Sequence, residues 1–219
     1  MEDSSTKLIA AGVAVVLLAA ISWAQEPALP PQSAPKPNTN PWQYSFTYDG
    51  YIIPDNIDYG SPVFTADHNW LHLEARYNYE NLRTGSLWAG YNFSWGKNLV
   101  FDLTPMLGAV FGRTNGIAPG CEASLSYKRF ELSVSNEYVI TPENRDNSFY
   151  YSWPETTFSL TNWLKVGAVA QHTKAYQSAV DVQRGFLVGI SHKKWEATTY
   201  VFNPDLSSPT IVLEFGIKF

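Results

Sequence analysis

The segment Thr210–Phe219, TIVLEFGIKF, alternates between two kinds of side chain. The apolar residues share one parity: Ile211, Leu213, Phe215, Ile217 and Phe219. Thr210, Glu214, Gly216 and Lys218 share the other, interrupted only by Val212. A period of two predicts a β-strand with one apolar face. Because chain termini fray into water, a soluble protein rarely ends on such a strand. The pattern is typical of a membrane barrel, whose apolar face meets lipid and whose polar face lines the interior.

Composition narrows the class of protein. The chain has 219 residues, which suits one domain. Its mean hydropathy of −0.19 excludes a helical protein with many membrane spans. Charged residues make up 16% of the chain, below the ~25% usual for globular domains. The net charge of −5 argues against nucleic acid as a partner, because nucleic acid requires a basic surface. Cys121 stands alone, and we interpret it as a small apolar residue.

Two segments precede the predicted barrel. Residues 1–24 combine Lys7, the apolar run Leu8–Ala24 and small residues at Ser22 and Ala24, which predicts a secretory signal peptide cleaved after Ala24. Residues 25–41 contain six prolines. Proline disfavours helix and sheet, so we interpret 25–41 as an extended periplasmic linker.

From Trp42 onward, runs of alternation are separated by turn residues at intervals typical of an all-β protein. The predicted strands are 42–53, 60–66, 70–80, 85–94, 98–112, 118–127, 130–140, 149–161, 164–174, 181–191, 195–203 and 210–219. These twelve strands predict a single closed, antiparallel, up-and-down transmembrane β-barrel over 42–219. The division of 60–80 at Asp67-His68-Asn69 is essential to this count. The alternative is a ten-stranded barrel with 42–65 outside it.

The predicted connections alternate in length along the chain. The short ones are 67–69, 95–97, 128–129, 162–163 and 192–194. The longer ones are 54–59, 81–84, 113–117, 141–148, 175–180 and 204–209. Bacterial outer-membrane barrels have short periplasmic turns and longer external loops. An even strand number also returns both ends of the barrel to the same side, where the linker requires the amino end to lie.

The last strand also resembles the carboxy-terminal signature of bacterial outer-membrane β-barrels, a final Phe preceded by apolar residues at every second position. The resemblance implies an outer-membrane location, a lipid environment and recognition of Phe219 by the barrel-assembly machinery. Aromatic girdles at both interfaces are a further barrel feature. We expect one girdle near the short turns, from Trp42, Phe93, Trp95, Tyr127, Phe130, Trp195 and Phe219. We expect the other near the longer loops, from Tyr77, Tyr79, Phe111, Tyr138 and Tyr150.

The opposite parity should line the lumen. The candidate lumen-lining residues are His72, Glu74, Arg76, Asp102, Glu122, Glu131, Glu137, Lys165, Glu196 and Glu214. Further inward acids are expected at Asp49, Glu155 and Asp181, with bulk from Tyr51, Trp70, Trp88 and Tyr200. Because ~8 strands give a filled barrel and ~16–18 an aqueous channel, twelve predict a narrow passage. The acidic excess favours cations. Alternatively, the charges pair and plug the lumen, leaving a structural or surface-binding barrel.

No enzyme motif is present. The sequence has no GxSxG elbow, Walker loop or HExxH, and no clustered Cys and His residues. We therefore predict no catalytic residue, metal or cofactor. A membrane hydrolase at the outer rim, built on Asp49, His172 and Asp181, is the least favoured function, because His172 shares the lipid-facing parity with Ala168 and Ala170. The sequence thus predicts an outer-membrane channel for passive diffusion of small, cationic solutes.

Overall fold

A computed structural model describes residues 41–54, 57–143, 145–175 and 181–219. The predicted signal peptide and residues 25–40 of the predicted linker lie outside these ranges. No helix within the described ranges is both long enough and apolar enough to cross a bilayer. The helical structure there is a single 3₁₀ turn at Arg145–Asn147.

The described residues form thirteen strand segments in one antiparallel sheet. They are β1 (Gln43–Ile52), β2 (Tyr59–His68), β3 (Leu71–Tyr77), β4 (Thr84–Tyr91), β5 (Phe93–Gly96), β6 (Leu99–Gly112), β7 (Gly116–Tyr127), β8 (Phe130–Val139), β9 (Phe149–Ser159), β10 (Leu164–Ala175), β11 (Asp181–His192), β12 (Trp195–Phe202) and β13 (Thr210–Lys218). Segments that follow each other in the chain pair with each other, except that β4 and β5 both pair with β6 instead, and β13 returns to β1. The sheet is therefore a closed up-and-down barrel of twelve strands, as the sequence predicts.

Segments β4 and β5 are the two parts of one barrel strand. Gly90 pairs with Met106 and Phe93 with Leu103, so the register against β6 is unchanged across Asn92. The ladder is interrupted because Pro105, which stands opposite this break, has no N–H to donate. Counted as one strand, β4 and β5 preserve the even number.

The terminal strand closes the barrel. β13 pairs with β1 from Ser45↔Lys218 to Ile52↔Ile211. Phe219 extends the ladder, because its backbone N–H and carbonyl both bond to Tyr44 at 2.9 Å. Both β1 and β2 belong to the sheet, so the ten-stranded alternative with 42–65 outside the barrel is wrong.

Five connections lie at the rim that carries Gln43 and Phe219, here called the short-turn rim: 69–70, 97–98, 128–129, 160–163 and 193–194. Asn69, Lys128 and Lys193 adopt positive φ there, as tight hairpin turns require. At the opposite, long-loop rim the strand ends are joined by 53–58, 78–83, 113–115, 140–148, 176–180 and 203–209, of which 55–56, 144 and 176–180 lie outside the described residues. The predicted length alternation is confirmed, because each connection at this rim is longer than both of its neighbours along the chain, although 113–115 is only three residues long. Gly112, at φ 124°, allows this compact turn.

The apolar parity faces outward. Every barrel strand except β10 exposes at least one large apolar side chain, and the predicted girdle residues Trp42, Phe93, Trp95, Tyr127, Phe130, Trp195, Phe219, Tyr77, Phe111 and Tyr138 are all exposed. Tyr150 also lies on the outer face but is half-buried. On an intact protein in water, so continuous an apolar surface would be costly. It is the surface that a hydrocarbon environment requires.

Two aromatic residues depart from the predicted parity. Trp70, expected inside, is 54% exposed in the short turn and stacks on the outward ring of Tyr91 at 5.2 Å. Tyr79, expected in the outer girdle, turns into the barrel and contacts Tyr151. Both follow an Asn with positive φ, Asn69 at 55° and Asn78 at 58°. A left-handed residue ends the strand, so parity no longer determines where the next side chain points.

Candidate functional site

The inward side chains divide the lumen into two layers. Toward the long-loop rim, buried side chains form two apolar clusters. The first comprises Tyr51, Val169, Leu187, Tyr200, Phe202 and Val212, and the second Trp88, Met106, Val110, Ala118 and Val139. Toward the short-turn rim the inward residues are mainly Ser, Thr, Asp and Glu. We call the first layer the plug and the second the vestibule.

Two glycines position Trp88 in the plug. A Cβ at Gly108 would lie 2.5 Å from the Trp88 ring, and a Cβ at Gly120 would lie 2.9 Å from it. The indole therefore lies against β6 and β7, where any larger residue would displace it. Its Nε1 donates to Ser86 Oγ at 2.9 Å. Trp88 consequently presents a fixed ring face to the centre of the barrel.

Arg76 occupies that centre. Its guanidinium carbon lies 4.5 Å from the centroid of the Trp88 ring and 4.3 Å from that of Tyr79, so the cation makes a cation–π contact with each ring. Nε donates to Glu74 Oε1 at 2.8 Å, and Nη1 donates to Glu137 Oε2 at 2.8 Å. Because β3 and β8 are four barrel strands apart, the bond to Glu137 crosses the lumen.

The network continues from Arg76 in both directions. Glu74 Oε2 lies 3.5 Å from His72 Nε2, and His72 Nδ1 lies 2.8 Å from Asp67 Oδ1. On the other side Glu80 accepts from Ser86 and from Trp88 Nε1. Carboxylates, ring nitrogens and hydroxyls thus connect the short-turn end of β2 with the connection 78–83. Such a network stabilises the barrel when its members are satisfied.

Aromatic contacts complete the plug. Tyr79 meets Tyr151 edge to face, with centroids 5.7 Å apart, although β3 and β9 are five barrel strands apart. Trp153 packs edge-on against Tyr200 at 5.4 Å and Phe202 at 5.1 Å. These contacts join side chains from well-separated strands across the inside of the barrel. The plug therefore obstructs the described lumen at this level.

The vestibule encloses a cavity of about 470 Å³. Rings of Tyr51, Tyr79, Tyr151, Trp153 and Tyr200 line it on the plug side. Its acidic and basic lining residues are Asp49, Glu74, Asp102, Glu122, Glu155, Glu196, Glu214 and Lys165. Lys165 Nζ pairs with Glu196, and Arg76 pairs with Glu74. Seven acids line the cavity against the one base Lys165, so acids are in excess on its wall even though Glu74 and Glu196 are paired.

The ten candidate lumen residues occupy three places. His72, Glu74, Arg76 and Glu137 belong to the buried network. Asp102, Glu122, Lys165, Glu196 and Glu214 line the vestibule, as does Glu74. Glu131 is exposed at the short-turn end of β8. Sequence reasoning missed Asp67, Glu80 and Tyr79 as members of the network. Only Asn78, a residue type that tolerates positive φ, hints at the inward turn of Tyr79.

The three residues of the proposed hydrolase do not meet. Asp49 lines the vestibule, whereas His172 lies on the outer face against Tyr150, with ring centroids 5.7 Å apart. The side chain of Asp181 lies outside the described part of the structure. Over the described residues, no group of three or more His, Cys, Asp or Glu side chains is arranged to hold a metal ion.

The closed twelve-stranded sheet and its apolar exterior define a transmembrane β-barrel. The fold is similar to that of a solved porin structure. The chain superposes on the KdgM porin with a TM-score of 0.57 and 12% identity, and the superposition covers 80% of this chain and 99% of that one. The KdgM porin in complex with disordered oligogalacturonate gives the same values. Omp33, an outer membrane protein of Acinetobacter baumannii, gives a TM-score of 0.47 and 13% identity over 81% of this chain and 98% of that one. No family model matches the sequence. No curated protein matches it either.

Proposed function

We propose that the protein is a channel of the bacterial outer membrane for passive diffusion of small cationic solutes. The observation that carries the proposal is the vestibule, an acid-lined cavity inside a barrel with a lipid-compatible exterior. A cavity lined by one sign of charge between low-dielectric walls concentrates counter-ions. Rings of Asp and Glu favour cations in channels generally.

The proposed location rests on the exterior and the fold. The outer face is apolar and carries aromatic side chains toward both rims, which matches the hydrocarbon band and girdles of outer-membrane barrels. A cleaved signal peptide over 1–24 would direct the chain to the periplasm, and 25–41 would remain there as a linker. The barrel-assembly machinery would then recognise the last strand through Phe219.

The plug sets the expected size limit. Solutes that fill the vestibule meet the Tyr79–Tyr151 contact and the Arg76–Glu137 bond before they reach the long-loop rim. Passage therefore requires these side chains to move aside, and only small ions and small polar solutes pass. A low single-channel conductance follows from this constriction.

Recording from the purified, folded barrel in planar bilayers tests the proposal. We expect discrete conductance steps, and in a potassium chloride gradient a reversal potential of the sign for cation preference. Conductance steps with a preference for anions would overturn the proposed selectivity for cations. A complete lack of steps from protein shown to be inserted would overturn the channel itself.

A second function is favoured by the plug. If Arg76–Glu137 and Tyr79–Tyr151 never separate, the barrel is closed, and its role is structural or lies in binding a surface partner through the long-loop rim, chiefly 140–148. This alternative predicts intact insertion without conductance. Removing the plug side chains would then create conductance that the unmodified protein lacks.

The ligand seen with the KdgM porin is not expected to suit this lumen. Oligogalacturonate is a chain of sugar acids and is therefore a polyanion. Seven acids line the vestibule here, and like charges repel in a low-dielectric site. We expect that oligogalacturonate neither blocks nor slows potassium conduction at low salt. Block at micromolar concentration would contradict the proposed charge selectivity.

A further inference from the structure

A second cavity lies at the short-turn rim, against β1, β12 and β13. Its volume is about 260 Å³, the space of roughly nine water molecules at ~30 Å³ each. It shares Thr47, Glu196 and Glu214 with the vestibule, so it is the mouth of the same lumen. Its charged lining combines both signs, from Lys193, Lys194, Lys218, Glu196 and Glu214.

The three lysines are exposed. Within the described chain, the basic residues that form ion pairs are His72, Arg76, Lys165 and Arg184, so none of the three lysines belongs to an ion pair. A third cavity, of about 460 Å³, is lined by the same three lysines and by one acid, Asp67, which is paired with His72. Three ammonium groups around one opening repel each other and create a positive potential there. An anionic group of a solute would relieve that repulsion.

The two acids of this cavity, Glu196 and Glu214, lie further into the barrel than the lysines, on the same part of the wall. Glu214, Gly216 and Lys218 follow each other on the inward face of β13, so the Cα atoms of Glu214 and Lys218 are about 13 Å apart at ~3.3 Å per residue. A Cβ placed at Gly216 would find its nearest neighbours at 3.8 Å and 3.9 Å, on Glu196 and Thr47. A methyl group would therefore fit there in ordinary van der Waals contact, and the glycine leaves that room free between the negative and the positive layer.

The geometry points to a binding site for small zwitterionic solutes at this mouth. The ammonium end of the solute lies toward Glu214, its carboxylate or phosphate end lies among Lys193, Lys194 and Lys218, and its chain occupies the gap at Gly216. The inference deepens the proposed channel function and rests on it, since the bound ammonium group then faces the acids of the vestibule. It narrows the solute class from cations to compounds that carry both charges.

Calorimetric titration of the folded barrel in a non-ionic detergent, whose headgroup cannot compete for the site, tests the site without any need for conduction. The probes are 6-aminohexanoate, hexylammonium and hexanoate at low salt. Since a hydrogen bond to a charged group contributes about 1.5–3 kcal/mol, we expect 6-aminohexanoate to bind about tenfold or more tightly than either single-charge analogue. Equal affinities for the three probes would overturn the inference.

Matched variants locate the anionic end. We expect K193Q/K194Q to lower the affinity for 6-aminohexanoate about tenfold, to the level of hexylammonium, whose own affinity does not fall. The control K97Q/K128Q removes the same charge from other short turns, outside the cavity, and should leave both affinities unchanged. An equal loss in the two double variants would mean a general field rather than a site, and would overturn the inference.

A third variant leaves all charges in place. G216V fills the gap between the two layers, so it should weaken 6-aminohexanoate more than hexylammonium. Insertion and unmodified heat-dependent gel mobility show that the variant barrel is folded. If the barrel binds the zwitterion tightly but does not conduct, the binding site is supported and the proposed channel function is wrong. If it conducts but shows no preference for the zwitterion, the channel function is supported and the binding site is wrong.

Discussion

Arg76 on β3 and Glu137 on β8 are 61 positions apart in the chain, yet Nη1 and Oε2 meet at 2.8 Å inside the barrel. The guanidinium of Arg76 also contacts the rings of Tyr79 and Trp88. The pair therefore joins opposite parts of the wall through the lumen. This single contact relates the stability of the barrel to its permeability.

Breaking this pair should destabilise the protein. Glu137→Leu leaves the buried guanidinium without one of its two closest carboxylates, so we expect a loss of about 3–5 kcal/mol in the free energy of unfolding. The control is Glu131→Leu, the same substitution at an exposed position on the same strand, which should change stability by less than about 0.5 kcal/mol. Urea unfolding in phospholipid vesicles, followed by tryptophan fluorescence, measures both. Similar values for the two variants would show that Arg76 does not depend on Glu137.

Shortening the plug should widen the passage. Tyr79→Ala combined with Tyr151→Ala removes two rings that meet across the lumen, so single-channel conductance should rise about twofold or more, as expected when a constriction is enlarged. Tyr77→Ala is the control, because that ring lies on the outer surface. Unchanged conductance in the double variant would place the constriction elsewhere in the lumen.

The depth of a charge on the outer face should determine its cost. Leu107 is an exposed outward residue in the middle part of β6, whereas Leu99 begins that strand at the short-turn rim. Leu107→Arg should cost about 2–4 kcal/mol in a bilayer and Leu99→Arg about 0–1 kcal/mol. Reversible folding into vesicles measures the difference. Equal costs would mean that this surface does not lie in hydrocarbon.

Charges in the vestibule should control ion selectivity. Asp102→Asn with Glu155→Gln removes two carboxylates from its wall, so the reversal potential in a salt gradient should move toward the non-selective value. Lys165→Gln removes the one basic residue of that lining and should move the reversal potential toward stronger cation preference. Glu143→Gln, exposed in the connection 140–148, should have little effect. A shift of equal size for Glu143→Gln would indicate a surface potential rather than a lumen effect.

Strand number and sidedness follow from local chemistry. In a strand the side-chain direction depends only on parity, so Leu71, Leu73 and Tyr77 on one side of β3 and His72, Glu74 and Arg76 on the other could be assigned before the fold was known. That rule fails where the backbone leaves the extended region. Trp70 and Tyr79 follow Asn69 and Asn78, both at positive φ, and each side chain points to the face opposite its prediction.

The amino-acid sequence by itself determined the barrel, its twelve strands and which face of each strand meets lipid, because these depend on neighbours one and two positions away. Only the tertiary structure decided which inward residues meet. Closure and register bring β3 beside β8 and β9 across the lumen, and no local pattern encodes that distance. These contacts between inward side chains determine whether a twelve-stranded barrel encloses an open passage or a filled one. Here Arg76 and its aromatic neighbours fill the half toward the long-loop rim, and the half toward the short-turn rim remains a cavity.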